Sequence, residues 1–362
     1  MTGLVMPAGD ELILSSSPHI HDRLNVQKIM LKVILTLVPA LAAGVWFFGM
    51  EALRVVVITT VACVAAEAIW FLIGKSSFNP LRDCSAILTG VLLAMNLPAS
   101  APWWVCVLGG FIAIWVGKQV FGGIGHNIFN PALVARVALL IALPAMMTTW
   151  TPTEMMKREW QDAQVNTTHA TPASAESFVS CATPLGIAAN LKAKLPCGAN
   201  TYDSITTKND YKNYFIGNRA GSLGETSCMA LLLGGIALMF MKLIKWQIPI
   251  FFIATVALFT AVIHAFAPEL TPPAAFHVLN GGLLLGAFFM ATDMVTSPMT
   301  NWGGVVFAVG CGVITVVIRV WGSYPEGVSF SILLMNALVP LIDRMCHTLP
   351  FGYVRKKVQV SK

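Results

Sequence analysis

The feature that most constrains this chain is a series of ten apolar stretches, five on each side of a polar region of about 75 residues. A helix needs about 20 apolar residues to cross the hydrocarbon core of a bilayer, and most of the ten stretches are long enough. Composition agrees, because 56% of the residues are hydrophobic and 11% are charged, whereas soluble domains carry about 25% charged residues. The sequence therefore predicts an all-α polytopic membrane protein with about ten transmembrane helices. The stretches cover about 28–48, 51–73, 84–97, 103–121, 132–147, 225–241, 247–267, 276–292, 303–321 and 328–345.

The third stretch of each set is short and ends in small, polar and proline residues. When the second half is shifted back by 196 positions, Thr296 falls on Ser100 and Pro298 falls on Pro102. Two sets of five helices with matching interruptions predict two inverted repeats, an arrangement in which binding sites form near the midplane at the broken helices. The alternative is two ordinary helices that each end near a proline.

Lys and Arg residues in the short loops predict the orientation, because cytoplasmic loops are enriched in them. Thirteen of them, Lys118 included, fall on the side of both termini, and two, one of which is Arg319, fall on the other side. Both termini are therefore predicted to be cytoplasmic and the long loop periplasmic, in a bacterial inner membrane. We expect a first repeat with its leader over 1–147, the periplasmic loop over 148–224, and a second repeat with a basic tail over 225–362. The net charge of +6 then reflects topology, and no nucleic-acid partner is expected.

The segment Ser180–Leu185 stands out within the long loop, because it combines a threonine and a proline at a predicted helix start. Thr183 can be the N-cap and Pro184 the first helical residue, ahead of a short amphipathic run over 187–195. Unpaired N–H groups and the helix dipole at such a position favour an anion, so a phosphate carried on Thr183 would be well placed. The alternative is an ordinary threonine-proline helix start.

Polar residues also interrupt the apolar stretches. The segment Gly122–Pro131 contains three glycines, which permit close approach to the backbone, and two asparagines, Asn127 and Asn130, which offer paired donors and acceptors. A cytoplasmic turn explains this segment equally well. Asp293 and Glu67 are ionisable residues inside apolar stretches, so both are candidates for an ion pathway. Glu67 could instead lie at a helix end.

Arg136 is a third ionisable residue in an apolar stretch. It is a functional candidate for the same reason, since a charge inside a membrane is costly. A structural ion pair, or a guanidinium clamped onto backbone carbonyl groups, explains it at least as well.

Four motifs resemble those of the RnfD family, which supplies the D subunit of the Rnf electron-transport complex. They are Ser16-Ser17-Pro18-His19, the run that ends in Asn127-Ile128-Phe129-Asn130-Pro131, the run Phe289-Met290-Ala291-Thr292-Asp293, and the segment Ser180–Leu185. The homologous B subunit of the sodium-pumping NADH:quinone reductase shares the last three, but usually has a longer N-terminus. The short leader of this chain therefore favours the Rnf complex.

The resemblance implies a covalent FMN. In the family a separate flavin transferase attaches FMN through its phosphate to the threonine of a motif that here ends in Thr183. Cys181 stands where glycine is commoner. By analogy with the quinone-reductase homologue, Asn127, Asn130 and Asp293 would surround a noncovalent riboflavin.

The resemblance also implies a role as one component of an ion-translocating oxidoreductase of the ferredoxin/NAD type, with the A, B, C, E and G subunits as partners. Such a component relays electrons and couples their transfer to Na⁺ or H⁺ movement. The chain is not expected to be a complete enzyme, because no GxGxxG follows a strand and the eight cysteines form no cluster of the kind that binds iron–sulfur centres or other metals.

Two other classes of function stay open from the residues alone. Ten helices in two five-helix repeats also resemble the urea-transporter fold, which would suit a transporter or channel for a small polar solute. A membrane protein that only anchors redox partners is the other possibility. Neither of these gives Thr183 a task.

Overall fold

A computed structural model of the chain describes residues 25–74, 83–158, 182–194, 202–322, 324 and 326–346. All regular secondary structure in these ranges is helical. Six helices are long and apolar enough to cross a membrane, and three further apolar helices are shorter. The prediction of an all-α, multi-pass membrane protein is therefore confirmed.

The first five apolar stretches each form a helix close to the predicted limits. The fourth helix loosens into a π-helical turn, Ile112–Val116, and the fifth breaks at Leu143 before a single further turn. The helices are α1 Val26–Phe48, α2 Met50–Ile73, α3 Ser85–Met95, α4 Trp103–Phe111, α5 Pro131–Ala142 and α6 Pro144–Met147.

The second five stretches follow the same plan. The third of them ends at Met290, ahead of the small, polar and proline residues, as predicted, and it also has a break at 280–282 that was not predicted. It consists of two short helices separated by the turn 280–282, followed by the π-helix Gly286–Met290. The helices of the second half are α9 Cys228–Phe240, α10 Gln247–Phe266, α11 Ala274–Leu279, α12 Leu283–Leu285, α13 Asn301–Trp321 and α14 Val328–Met345.

In two pairs of corresponding segments, the start of one lies near the end of the other. Helix α1 packs against α9, its counterpart in the second half. Ile29 near the start of α1 and Leu238 near the end of α9 line one cavity, and so do Ser85 at the start of α3 and Phe289 near the end of the interrupted third segment. An antiparallel meeting of matching ends is what two inverted repeats require.

Two arginine side chains bind the backbone at the turn 280–282, where the third segment of the second half is broken. Arg219 donates to the carbonyl oxygen of Leu279 at 2.5 Å, and Arg319 donates to the carbonyl oxygens of His277 at 2.7 Å and Asn280 at 3.1 Å. The last carbonyl groups of a helix have no partner within the helix, and cations are favoured at that end. The two arginines therefore satisfy the end of α11 where the chain leaves the helix.

The described part of the long loop has a small hydrophobic core of its own. Its helices are α7 Pro184–Lys194, which confirms the short helix predicted after Thr183, and α8 Lys208–Ile216. The second of these was not predicted, although Thr207 and Asp210 form a capping box at its start. The core joins the loop to α11 through Leu185, Ala188, Tyr202, Ile205, Tyr214 and Phe276.

Candidate functional site

Two cavities of the described part of the chain, at opposite ends of α5, gather residues that the sequence singled out. We call them the outer and the inner cavity, after the predicted topology. The outer cavity includes Thr183, Arg136 and Glu326, and the inner cavity includes Asn127, Asn130 and Asp293. Helix α5 connects them, because Asn130 at its start borders the inner cavity and Leu140 near its end borders the outer one.

Thr183 lies at the start of α7, as the sequence predicted. Its Oγ1 accepts a hydrogen bond from the Gly186 N–H at 3.1 Å, and its carbonyl oxygen accepts the Ile187 N–H at 2.8 Å. Pro184 begins the helix. Thr183 is only 4% exposed and is one of the residues that line the outer cavity.

The outer cavity is large enough for a sizeable ligand. Its volume is about 400 Å³, within the range of roughly 300–1,000 Å³ that is common for small-molecule sites. The wall combines apolar and aromatic side chains with a few polar groups, as such sites usually do. The apolar and aromatic members are Leu140, Met147, Trp150 and Tyr324.

Arg136 forms a buried ion pair beside the outer cavity. Its guanidinium contacts the carboxylate of Glu326 and donates to Asn96 Oδ1 at 2.5 Å. Its Nη2 lies 3.9 Å from Glu225 Oε1. The structural ion pair that the sequence left open for Arg136 is therefore present, and it joins the two halves of the molecule.

Three of the residues around Arg136 were not identified from the sequence. Glu326 contacts Arg136, Glu225 Oε1 lies 3.9 Å from it, and Arg219 donates to the Glu225 carbonyl oxygen at 3.0 Å. Arg319, which had been counted only as an outer-loop charge, interacts with the two carboxylates at longer range. Each of the four lies at the edge of an apolar stretch, where a charge is expected on topological grounds. No local pattern distinguishes such a residue from a solvated one.

The inner cavity brings together the three residues predicted to surround a noncovalent flavin. Asn130 caps α5 by accepting the Ala132 N–H at 3.1 Å, and its amide donates to the Met290 carbonyl oxygen at 3.3 Å. Asn127 donates to the Phe129 carbonyl oxygen at 3.1 Å. Both amides thus hold backbone in place, and Asn130 also links the two repeats.

Asp293 lies in the turn that follows the π-helix of the second half, and not within a continuous helix. It is partly buried, and its Oδ2 accepts a hydrogen bond from Thr296 Oγ1 at 3.3 Å. Its place at the inner cavity gives a carboxylate to a site that is otherwise lined mainly by amides and apolar groups.

The volume of the inner cavity argues against a whole flavin in this arrangement. It is about 120 Å³, below the lower limit of about 300 Å³ for typical small-molecule sites. The lining is mostly apolar and includes Phe288 and Phe289, so it is the volume and not the residue types that argues against a three-ring system. The riboflavin at Asn127, Asn130 and Asp293 stays a prediction.

Glu67 is paired next to the inner cavity and does not end a helix. It lies inside α2, where it is 4% exposed and contacts Lys118 Nζ. Lys118 also donates to Ser85 Oγ at 2.7 Å, and Gln119 donates to Glu67 Oε1 at 3.1 Å. Lys118, which the sequence analysis counted among the cytoplasmic cations, is buried and neutralises this carboxylate.

The three glycines of the segment 122–131 have backbone conformations that favour glycine whether or not a ligand is bound. Gly122, Gly123 and Gly125 have φ values of 112°, 94° and 89°, in the region that favours glycine. The space beside Gly125 is open, since nothing lies within 4 Å of where a Cβ would be. Here the backbone conformation, and not close packing, explains the glycine.

A chain of buried polar contacts connects the two cavities. Arg136 at the outer cavity contacts Asn96, and Asn96 Nδ2 lies 3.7 Å from Met290 Sδ. The Met290 carbonyl oxygen in turn accepts from Asn130 at the inner cavity. Both breaks in the third helices, at Asn96 and after Met290, belong to this chain.

Two of the motifs lie partly or wholly outside the described residues. These are the N-terminal Ser16-Ser17-Pro18-His19 and the positions Ser180 and Cys181. Among the residues that the structure describes, no group of three or more His, Cys, Asp and Glu side chains could hold a metal ion.

Comparison with known proteins identifies relatives over nearly the whole chain. Residues 13–352 match the model of the NQR2, RnfD, RnfE family. The chain is 43% identical to the D subunit of an ion-translocating oxidoreductase complex of Stutzerimonas stutzeri, covering 91% of this chain and 93% of that protein.

Two further relatives have names that specify the transported ion. The chain is 42% identical to the D subunit of a proton-translocating ferredoxin:NAD(+) oxidoreductase complex of Clostridium ljungdahlii, covering 94% of this chain and 96% of the relative. It is 40% identical to the D subunit of a Na(+)-translocating ferredoxin:NAD(+) oxidoreductase complex of Acetobacterium woodii, covering 97% and 98% respectively.

Proposed function

Because the chain belongs to the NQR2, RnfD, RnfE family, we propose that it is the D subunit of an ion-translocating oxidoreductase complex and relays electrons through FMN esterified to Thr183. The relatives' names supply the complex, a ferredoxin:NAD(+) reaction and coupling to Na⁺ or H⁺ movement. None of these names points to a solute transporter or a purely structural anchor. The chain is one subunit of the enzyme, and its partners are the other subunits of the complex.

The observation that carries this proposal is the position of the Thr183 hydroxyl. It lies at the N-terminus of α7 and lines a cavity of about 400 Å³. An ester oxygen keeps a lone pair, so the hydrogen bond from the Gly186 N–H survives esterification. The helix N-terminus favours the negative charge of the phosphate.

The outer cavity also has the right lining for a flavin ring. Trp150 and Tyr324 offer aromatic faces, and Leu140 and Met147 offer apolar contact. When bound, the flavin supplies an acceptor and donor of one or two electrons, and the protein's share is placement and electronic tuning. Arg136 and Glu326 are the charged groups of this wall, so they set the electrostatic potential at the flavin ring.

We place the ion path at the inner cavity, with Asp293 as its principal residue and Glu67 beside it. Asp293 borders the cavity, and the Glu67–Lys118 pair adjoins it through Lys118 and Ser85. A noncovalent riboflavin held by Asn127, Asn130 and Asp293 remains a second proposal, and it requires the cavity to widen. The inner cavity faces the cytoplasm and the outer one the periplasm in this proposal.

Flavin fluorescence of the denatured protein tests the covalent link. The complex is expressed with an active flavin transferase, separated by SDS electrophoresis and illuminated before staining. We expect a fluorescent band for the wild-type protein and for Thr148→Val, and no band for Thr183→Val. Thr148 is a matched control because it lines the same cavity. A band in Thr183→Val would refute the attachment site.

A further inference from the structure

Two buried carboxylates share a single guanidinium beside the outer cavity. Glu225 lies in the turn before α9 and is 4% exposed, and the side chain of Glu326, before α14, is 12% exposed. Glu326 contacts Arg136 directly, and Glu225 Oε1 lies 3.9 Å from the same guanidinium. The two glutamates are close enough for their charges to repel.

The other two cations of the cluster direct their N–H groups elsewhere. Arg219 donates to the backbone carbonyl oxygens of Glu225 and Leu279 and to Asn280 Oδ1. Arg319 donates to the carbonyl oxygens of His277 and Asn280. Both arginines hold the end of α11, and they contribute only longer-range attraction to the carboxylates.

Each carboxylate keeps one oxygen without a hydrogen-bond partner among the described residues. These atoms are Glu225 Oε1 and Glu326 Oε1, and both are inaccessible to solvent. An unpaired oxygen in a buried carboxylate is costly. A bound proton lowers this cost, because it supplies a donor and cancels one of two like charges.

We propose that Glu225 and Glu326 form a proton-binding site beside the outer cavity, which takes up one proton from water when the flavin on Thr183 is reduced and releases it on reoxidation. This inference rests on the proposed covalent flavin. The electron comes from the donor subunits of the complex, and the proton balances its charge. Glu326 and Thr183 line the same cavity, where a new negative charge acts through a low dielectric.

Other charged groups around the two glutamates set the proton affinity of this site. Arg136 faces it from α5, Arg319 from α13, and Arg219 from the segment before the turn. The Cys228 thiol, at the start of α9, is the remaining titratable neighbour of Glu225. The three cations lower the proton affinity of the pair and the repulsion between the carboxylates raises it, so that one added negative charge nearby is enough to bring in one proton.

Redox-induced infrared difference spectra of the purified complex test this site. We expect flavin reduction to produce a carbonyl band of a protonated carboxyl group that shifts in D₂O. The band disappears in Glu225→Gln and in Glu326→Gln. It remains in the control Glu51→Gln, which changes an exposed carboxylate at the start of α2.

Three results would overturn the inference. They are a wild-type spectrum without the band, a band that survives both glutamine substitutions, and a band abolished by Na⁺ at constant pH, which would mean that the pair binds a metal cation instead. If a variant fails to assemble, the wild-type spectrum still tests the inference, because the absence of the band there would contradict it. Loss of the fluorescent band after SDS electrophoresis would remove the proposed function, whereas a fluorescent band without the carboxyl signal removes only this proton site.

Discussion

The outer and the inner cavity differ in how they are built. The outer cavity has room for a large prosthetic group, and Thr183 borders it from the start of a loop helix that packs against the membrane helices. The inner cavity is less than a third as large, and its asparagines, Asn127 and Asn130, are used to hold backbone. In the proposed function, the anchored redox group and the ion site are therefore separate structures connected by α5.

The two repeats also differ in how they place a cation at the start of the third segment. In the first repeat Lys118, after α4, reaches Ser85 and is neutralised by Glu67. In the second repeat Arg319, near the end of α13, reaches the carbonyl oxygens of His277 and Asn280. The start of the third segment therefore meets an ion-paired lysine in one half and an arginine bound to helix-end carbonyl groups in the other.

Asp293→Asn is the sharpest test of the division between the cavities. An amide cannot balance the charge of a cation, so we expect most ion uptake per transferred electron to be lost while the covalent flavin on Thr183 is retained. Ion uptake into vesicles is measured against the electron-transfer rate. Unchanged coupling would remove Asp293 from the ion path.

Lys118→Ala tests the ion pair of the first repeat. It leaves Glu67 buried without its cation, which costs roughly 3–5 kcal/mol for a pair of this kind. We expect a large fall in the thermal stability of the protein in detergent, and partial recovery in the double variant Lys118→Ala, Glu67→Gln. An equal loss in the double variant would show that the lysine acts through packing alone.

Gly281→Ala tests the corresponding break of the second repeat. Gly281 has a φ of +72°, and an added Cβ would lie 2.5 Å from Arg319 Nη2. The left-handed conformation alone costs roughly 1–2 kcal/mol for an L-residue, and the arginine must also move. We expect the free energy of unfolding, measured in denaturant, to fall by at least this amount. The control Gly304→Ala has a neighbour only at 3.4 Å and should be milder.

Cys84→Gly should give the smallest change and the opposite sign. Cys84 has a φ of 55° just before α3, a conformation that glycine adopts without strain. Relief of that strain should stabilise the protein against unfolding, up to about 1 kcal/mol. A loss of stability in the same unfolding assay would mean that the contacts of the thiol contribute more than the relief of backbone strain.

Much of the fold could be predicted, because hydrophobic length and helix caps are local properties. All ten apolar stretches form helical segments, and Thr183 begins α7 as the threonine-proline pair indicated. The matching interruptions predicted inverted repeats, and the ends that meet at the inner cavity agree with this arrangement.

The electrostatic partners could not be predicted in the same way. Arg136 and Glu326 are separated by 190 positions, and no local pattern connects them. Lys118 resembles a loop lysine in sequence because it follows an apolar run and precedes three glycines, and only the packing of α2 and α3 shows that it is buried. Tertiary structure, and not residue type, decides which charges are topological signals and which are parts of a site.

Mass spectrometry of the tryptic fragment that ends at Lys192 tests the central claim most directly. In protein purified from cells with an active flavin transferase, we expect this fragment to carry the mass of FMN less one water, located on Thr183 by fragmentation. The same fragment found unmodified, in a complex that still transfers electrons and moves ions, would contradict the assignment of this chain as a covalent flavin carrier.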